Sequence, residues 1–466
     1  MKSNRWLVGA FLWVLAVNSS LAATNRPPNI VLLFSDDAGY ADFGFNHSRY
    51  FRTPRLDQLA QSGVLLKQFY VTAAICGPSR AGLLTGKYPQ RFGFEENNVT
   101  PIMSPTGLTG DDMGLPLDQK TLSDHLKAQG YRTAIFGKWH MGSADRFHPL
   151  KRGFDEFIGF RGGARSFFAY RPDDPKVEKE ALLEYGLGDY REPKVYLTDL
   201  IADETCEFME RNRERPFFAY ISFNAVHTPL EPDPQDAALF PELNGQRRKL
   251  AQMTFSMDRA IGRILDKLAA LGLTDNTLVV FANDNGGPTD ASSASNYPLS
   301  GTKATVLEGG IRVPGIVAWP GKIKPGTTYD LPLSTLDLLP TFLKVAGGDP
   351  GKVEGLDGVD MLPYLTGAIS SRPHQTLYWS EEHRYAIRDG DWKLIRFTDR
   401  PAELYNIEED PSEENDLGSE NMERVRALYK KLFAWELTHE RPRWQLLKIY
   451  EGKAVERLDK YRKQYP

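Results

Sequence analysis

The chain has 466 residues, 41% of them hydrophobic and 25% charged, an ordinary globular composition that excludes a disordered or fibrous protein. A formal net charge of -4 offers no broad basic field for nucleic acid or an acidic membrane surface, so an anionic ligand would need a local cluster of positive groups. The only cysteines, Cys76 and Cys206, allow at most one disulfide.

The N-terminus reads as a signal peptide over residues 1–22. Lys2 and Arg5 form a charged start, residues 7–17 are apolar but too short to span a bilayer comfortably, and Ser20-Leu21-Ala22 supplies small residues for cleavage. No cysteine lies at this boundary and no later apolar run is long enough to cross a membrane. The expectation is a periplasmic or secreted protein without a stable membrane anchor.

The elements alternate along the chain. Residues 29–34 are an apolar strand that runs into Ser35-Asp36-Asp37-Ala38-Gly39, and Thr53-Pro54 opens a helix that Gly63 closes. Cys76-Gly77-Pro78-Ser79-Arg80 leads into an apolar helix body, placing Cys76 at a helix N-terminus. Residues 121–129 form a further helix before Gly130, and the strand 133–136 leads to Lys138-Trp139-His140-Met141-Gly142. Residues 196–213 read as a helix in which Cys206 is buried packing. The strand 217–223 leads to Asn224-Ala225-Val226-His227-Thr228-Pro229, and residues 248–271 are a long amphipathic helix closed by Gly272. The strand 278–282 runs into Asn283-Asp284-Asn285-Gly286, followed by glycine-flanked Lys303 and Glu308-Gly309-Gly310-Ile311-Arg312-Val313-Pro314. This order predicts a doubly wound α/β domain with buried parallel strands.

The pattern changes near residue 370. Residues 385–388 and 392–397 flank Asp389-Gly390-Asp391, a hairpin signal; 403–407 is a further short strand and 421–437 a helix. The expected division is a catalytic domain over 23–370 and a smaller α+β domain over 371–466.

Chemistry collects just past the C-terminal ends of the strands, where open α/β sheets bind ligands. Asp36, Asp37, Asp284 and Asn285 form two oxygen-rich turns that would repel one another without a cation. Together they suit a hard divalent ion, Ca²⁺ in preference to Mg²⁺, although either turn alone also reads as a solvated helix cap. His140 and His227, with Lys138 beside one of them, read as proton handlers and anion binders. Lys303 fits a site residue and a surface lysine equally well. Cys76 at a helix N-terminus with Arg80 one turn on could be an acidified thiol nucleophile, but no neighbouring sequence resembles the nucleophile contexts of known cysteine proteases.

The segment Cys76-Gly77-Pro78-Ser79-Arg80-Ala81-Gly82-Leu83-Leu84-Thr85-Gly86 resembles the signature of type I sulfatases, in which Cys-x-Pro-x-Arg directs oxidation of the cysteine to Cα-formylglycine (3-oxoalanine). Residues 29–39, 137–142, 227–229, 283–286, 301–314, 336–341 and 403–406 resemble that family's other blocks, in order. The resemblance implies the alkaline phosphatase fold: a large mixed sheet flanked by helices, with a smaller C-terminal sheet. It implies one Ca²⁺ held by Asp36, Asp37, Asp284, Asn285 and modified Cys76, and maturation by a formylglycine-generating enzyme. Arg80 and Lys138 would stabilise the aldehyde hydrate, and Lys138 and Lys303 would touch the sulfate. Asp284 would take the attacking proton, His227 would protonate the leaving oxygen, and His140 would release sulfate. The implied substrate is a sulfated polysaccharide or oligosaccharide of carrageenan, ulvan or glycosaminoglycan type. The loops 95–120 and 162–194, with Arg161, Arg165, Tyr170, Arg171, Tyr185 and Arg191, are its expected walls. The rival readings are a formylglycine-dependent phosphonate or phosphodiester hydrolase and a sulfated-glycan binding protein that has lost catalysis.

Overall fold

The structure is a computed structural model that describes residues 26–464 apart from 99–101, 104–106, 109, 172–173, 382–383 and 448–450. The signal-peptide reading, at residues 1–22, lies outside the described residues.

A ten-stranded sheet forms the centre. Its strands are β1 (Asn29–Ser35), β2 (Val64–Tyr70), β3 (Arg132–Lys138), β4 (Glu156–Phe160), β5 (Glu184–Tyr185), β6 (Phe217–Ser222), β7 (Thr277–Asn283), β8 (Arg312–Ala318), β9 (Thr327–Tyr329) and β10 (Leu333–Ser334). They run in the order β9-β2-β8-β7-β1-β6-β3-β4-β5, with β10 also paired to β2. The middle pairs β7–β1, β1–β6, β6–β3 and β3–β4 are parallel. The sheet is nevertheless mixed, because β8 runs antiparallel to both β2 and β7. The runs read from strand composition as buried parallel strands are the middle ones, and the mixed sheet implied by the family resemblance is the one present; β8 (RVPGIVA) was not among those runs, its apolar stretch being interrupted by Pro314 and Gly315.

β1 is buried at every position, as a central strand covered on both faces requires. Its side chains alternate between two cores: Ile30, Leu32 and Phe34 join Tyr220, Leu278 and Val280 on one face. Val31 and Leu33 join Ala219, Ile221 and Phe281 on the other. The principal helices divide accordingly: α1 (Pro54–Ser62), α2 (Cys76–Thr85), α3 (Leu122–Ala128), α4 (Leu197–Arg211), α5 (Gly245–Ala270) and α6 (Leu338–Val345). Leu83 of α2, Leu122 of α3 and Leu338 of α6 enter the first core, whereas Leu56 of α1, Ile201 of α4 and Met257 of α5 enter the second. Each such side chain contributes roughly 1.5–3 kcal/mol by leaving water. α3 starts on a capping box between Thr121 and Asp124. Cys206 on α4 is half-buried, not buried as expected, because it lies at the margin of the α4–α5 contact with its Sγ 3.7 Å from Arg263 O.

After residue 370 comes a four-stranded antiparallel sheet of β11 (Thr376–Glu381), β12 (Arg384–Asp389), β13 (Trp392–Arg396) and β14 (Glu403–Asn406) in sequence order. The hairpin at Gly390, where φ is 63°, has the left-handed backbone that glycine supplies cheaply. Helix α7 (Met422–Glu436) seals this sheet, packing Val425, Leu428 and Leu432 on Ile387, Leu394 and Leu404. The small sheet is joined to the large one by buried polar links as well as by packing: Trp379 Nε1 donates to Val71 O at 2.7 Å, and His374 Nε2 meets Asp337 Oδ1 at 2.8 Å. A last helix, α8 (Glu451–Lys460), precedes the C-terminus.

Candidate active site

The parallel register of β1 and β7 sets Ser35 against Asn283. The next residues, Asp36 and Asp284, therefore leave the sheet side by side and are fully buried. Asp37 follows with φ 61°, a left-handed conformation that costs a non-glycine residue roughly 1–3 kcal/mol. That turn lets its backbone N–H donate to Asp284 Oδ1 at 3.2 Å and its Oδ1 accept from Asn285 Nδ2 at 2.7 Å.

Cys76 begins α2, and its Sγ lies 3.6 Å from Asp36 Oδ1. Burial first, and Asp284 next, push its thiol well above the ordinary value. The expectation of an acidified thiolate is therefore not met: the helix N-terminus is present, but neighbouring carboxylates and exclusion of water outweigh it. Cys76 is therefore held in its protonated form.

Three cations match three carboxylates. Arg80, one turn along α2, donates from Nη2 and Nε to Asp284 Oδ2 at 2.8 and 3.2 Å, and from Nη1 to Ser222 Oγ at 2.6 Å. Lys138, at the end of β3, puts Nζ 2.6 Å from Asp36 Oδ2. Lys303 places Nζ 2.7 Å from Asp37 Oδ1 and 3.1 Å from Cys76 Sγ. Burial beside Asp284 pushes Asp36 up to about 7. Burial also acts against ionised Asp37, but Lys303 and His227 override it and hold that carboxyl well below its usual range.

His227 follows β6, with Nδ1 2.6 Å from Thr228 O and Nε2 3.4 Å from Asp37 Oδ2; burial lowers it to about 4. His140 follows β3 with φ 60°, and neither ring nitrogen has a hydrogen-bond partner among the described residues. Burial, then Lys138 and Arg80, keep it well below the usual imidazole value, hence neutral. Gly163 lies against this ring, where a Cβ would stand 2.6 Å from His140 Nε2.

All ten residues singled out in the sequence thus meet in one place. Cys76, His140, His227 and Lys303 form the floor of a pocket of about 290 Å³, whose walls include Asn97, Asn98, Ser143, Gly163, Glu178 and Glu180. Three of the four arginines expected as walls are engaged elsewhere: Arg161 with Glu184 and Asp145, Arg165 with Glu192, Arg191 with Asp189. Ser222 and Asn97 escaped the sequence reading. Ser222 had a faint signal, as a polar residue ending an apolar strand. Asn97, whose Oδ1 accepts from Gly77 N at 2.8 Å, lies in the loop 95–120 expected as a wall but was not singled out within it.

Over residues 28–348 the chain matches the family described as Sulfatase. The chain belongs to the sulfatase family. Its C-terminal part, residues 302–438, also matches the family described as N-sulphoglucosamine sulphohydrolase, C-terminal. This sulfatase is 34% identical to arylsulfatase A of Bos taurus, over 87% of this chain and 86% of that one. It is 35% identical to N-acetylgalactosamine-6-sulfatase of Mus musculus, over 83% of this chain and 75% of that one. Among solved structures, Ps i-CgsB in complex with k-i-k-neocarrahexaose superposes with a TM-score of 0.84 at 35% identity, covering 94% of this chain and 100% of that one. The fold of the sulfatase is accordingly the alkaline phosphatase-like one, a large mixed sheet with a small antiparallel C-terminal sheet.

The residues present fit a hard cation. Asn285 Oδ1 is buried with no hydrogen-bond partner among the described residues, and ligand atoms of Asp36, Asp37, Cys76 and His227 lie within 4.8 Å of one another. Three carboxylates against three cations leave no surplus positive charge for an incoming sulfate ester, which a divalent ion among these oxygens would supply.

Proposed function

We propose that this sulfatase removes sulfate from a sulfated polysaccharide or oligosaccharide, using Cys76 converted to formylglycine and one Ca²⁺ held by Asp36, Asp37, Asp284, Asn285 and the modified residue. The observation that carries the reading is that Cys76, Lys303, His140 and His227 share the floor of one pocket. Formylglycine supplies, as its hydrate, an oxygen nucleophile with a second hydroxyl, and the cation supplies Lewis acidity beside it.

The chain's own groups do the rest. Arg80 is locked by Asp284 and Ser222, so its charge is fixed beside the reacting centre. Lys138 and Lys303, in reach of Asp36 and of Asp37 and Cys76, neutralise the attacking oxygen and the sulfate oxygens. Asp284 accepts the proton of the attacking hydroxyl. His227 gives Nδ1 to Thr228 O, which leaves Nε2 to face the departing sugar oxygen; it hands over a proton there only from the protonated ring, which Asp37 favours against the burial that keeps the ring neutral. His140 is neutral and free at both ring nitrogens among the described residues, as a base needs to be when sulfate is released.

The pocket walls support a sugar. Asn97, Asn98 and Ser143 offer hydrogen bonds, while Glu178 and Glu180 accept from hydroxyls and repel a further anion. A sugar with free hydroxyls around one sulfate suits these walls better than a densely sulfated one. The oligosaccharide bound to Ps i-CgsB supports the same class. No helix of the described residues is long and apolar enough to cross a membrane. The charged and apolar N-terminal sequence supports a periplasmic or secreted enzyme, and the segment from Cys76 to Arg80 supports its maturation by a formylglycine-generating enzyme. The division at residue 370 follows the change from the large sheet to the small one.

Mass analysis of the Cys76 peptide, combined with turnover of defined sulfated oligosaccharides, tests the reading. Loss of about 18 Da from the cysteine, as its oxidation to an aldehyde requires, and release of sulfate are expected. An unconverted but active enzyme would overturn it.

A further inference from the structure

We propose that Glu413 and Lys393 are positioning residues for Lys303: a buried ion bridge, contributed by the C-terminal part of the chain, that clamps both ends of the loop carrying that lysine. The inference rests on the reading of Lys303 as a group that contacts sulfate.

Residues 301–307 form neither strand nor helix, so the place of Lys303 depends on how the ends of this loop are held. Glu413 Oε2 holds both. It accepts from Ser300 Oγ, just before the loop, and from the backbone N–H of Glu308, just after it, at 2.7 Å. Lys393 Nζ on β13 then lies 2.8 Å from Glu413 Oε1 and 2.9 Å from Glu308 Oε1, bridging the two carboxylates. Tyr70 OH donates to the other oxygen of Glu308 at 2.6 Å. The side chains of Lys393, Glu308 and Glu413 are all wholly buried.

Two further facts point the same way. Glu413 has φ 54°, a left-handed backbone that a non-glycine residue adopts only at a cost, and this turn carries the carboxylate to Ser300 and Glu308 N. The C-terminus touches the loop again: Gly301 N donates to Tyr461 O at 3.1 Å, and Gln464 Nε2 donates to Gly301 O at 3.1 Å. At the inner side, Ala304 N donates to Ala74 O at 2.9 Å, which ties the loop to the segment that presents Cys76. The small domain thus reaches the pocket without lining it. Its charge pair fixes the loop ends, and the loop aims Lys303 Nζ between Asp37 and Cys76.

The test uses the full chain in its matured form, with Glu413→Ala, Ser300→Ala, Lys303→Ala and the Glu413→Ala/Lys303→Ala pair. Two readouts are taken: amide hydrogen exchange of residues 300–308, and kcat/KM on a sulfate ester. The expected result is faster exchange in the loop with unchanged exchange in β1 and β6, together with a loss of about tenfold or more in kcat/KM for Glu413→Ala, the scale of a small misplacement at a reacting centre. The double variant should be no worse than Lys303→Ala, since the clamp acts only through that lysine. Unchanged exchange in the loop, or losses that multiply, would overturn the proposal. If Lys303→Ala itself keeps full activity, the role given to Lys303 fails, and the exchange measurement alone decides the clamp. If Glu413→Ala does not fold, Ser300→Ala decides by the same two readouts, with a smaller effect.

Discussion

Ser35 and Asn283 face each other at the ends of two adjacent parallel strands, and Ser35 Oγ donates to Asn283 Oδ1 at 2.9 Å. One residue further on, Asp36 and Asp284 emerge in parallel, both fully buried, where only a high density of positive charge makes two carboxylates tolerable. The chemistry of the site and much of its fragility follow from this register.

Replacing Cys76 by Ser or Ala is expected to lower turnover by ~1000-fold or more, because alanine cannot become an aldehyde hydrate and an unoxidised serine lacks its second hydroxyl. The fold should survive, since Cys76 makes few contacts that an isosteric serine lacks. Sulfate release, thermal unfolding and the mass of the residue-76 peptide in the same preparations check both halves; an active Cys76→Ala enzyme, or an active Cys76→Ser enzyme with its serine unoxidised, would exclude the formylglycine route.

Arg80→Ala should be destabilising as well as inactivating. It leaves the fully buried Asp284 without its guanidinium, 2.8 Å away in the native protein. Breaking a buried pair by removing one partner costs about 3–5 kcal/mol. Denaturant unfolding measures this, and a change below ~1 kcal/mol would show that Asp284 finds another partner.

Chelation should lower both activity and the unfolding midpoint, and added Ca²⁺ should restore both. At a free concentration 100 times its dissociation constant, a bound ion stabilises the folded state by about 2.7 kcal/mol. Asn285→Ala should weaken this Ca²⁺ effect, since it deletes the unpartnered Oδ1. A midpoint indifferent to calcium in both proteins would count against the oxygen cluster as its site.

The His374–Asp337 pair gives a pH dependence remote from the active site. Burial acts to lower His374, but the Asp337 carboxylate overrides it and raises the imidazole above its ordinary 6.5. A raised folded value means that the pair's stabilisation is complete below pH 6.5 and fades as pH climbs through the folded value. The stability difference between the native protein and His374→Gln should therefore be largest in mild acid and shrink in alkali. Unfolding free energies across that range test it; a difference growing with pH would reverse the assignment.

His227→Ala should impair hydrolysis of sugar sulfates far more than that of activated aryl sulfates, whose leaving oxygen needs little protonation. Comparing kcat/KM for the two substrate classes tests the general-acid role, and equal losses would remove His227 from it.

Much of this site was legible in the chain. Residues 29–34 and 278–282 are apolar enough to be central strands only, and a central parallel strand delivers whatever follows it to one edge of the sheet. Asp36, Asp37, Asp284 and Asn285 could be placed together by that rule, and Lys138, His140 and His227 by the same rule applied to β3 and β6. The segment from Cys76 to Arg80 specified its own chemistry, because a proline and small residues at a helix start are local features.

What the tertiary structure alone decided depends on contacts far apart in sequence. The raised thiol value of Cys76 comes from burial beside Asp284, 208 residues away, which a helix-terminus argument could not weigh. The antiparallel course of β8 is set by its neighbours on both sides and not by its own residues. The arginines of the loop after β4 look like substrate walls until their carboxylate partners are seen to occupy them. Glu413 reads in sequence as one more acid in a solvated loop, and becomes a clamp only where folding brings Ser300, Glu308 and Lys393 around it. Local pattern determines where a strand or helix forms and what it presents; the protonation state and partners of a side chain belong to the low-dielectric surroundings that only the assembled fold creates.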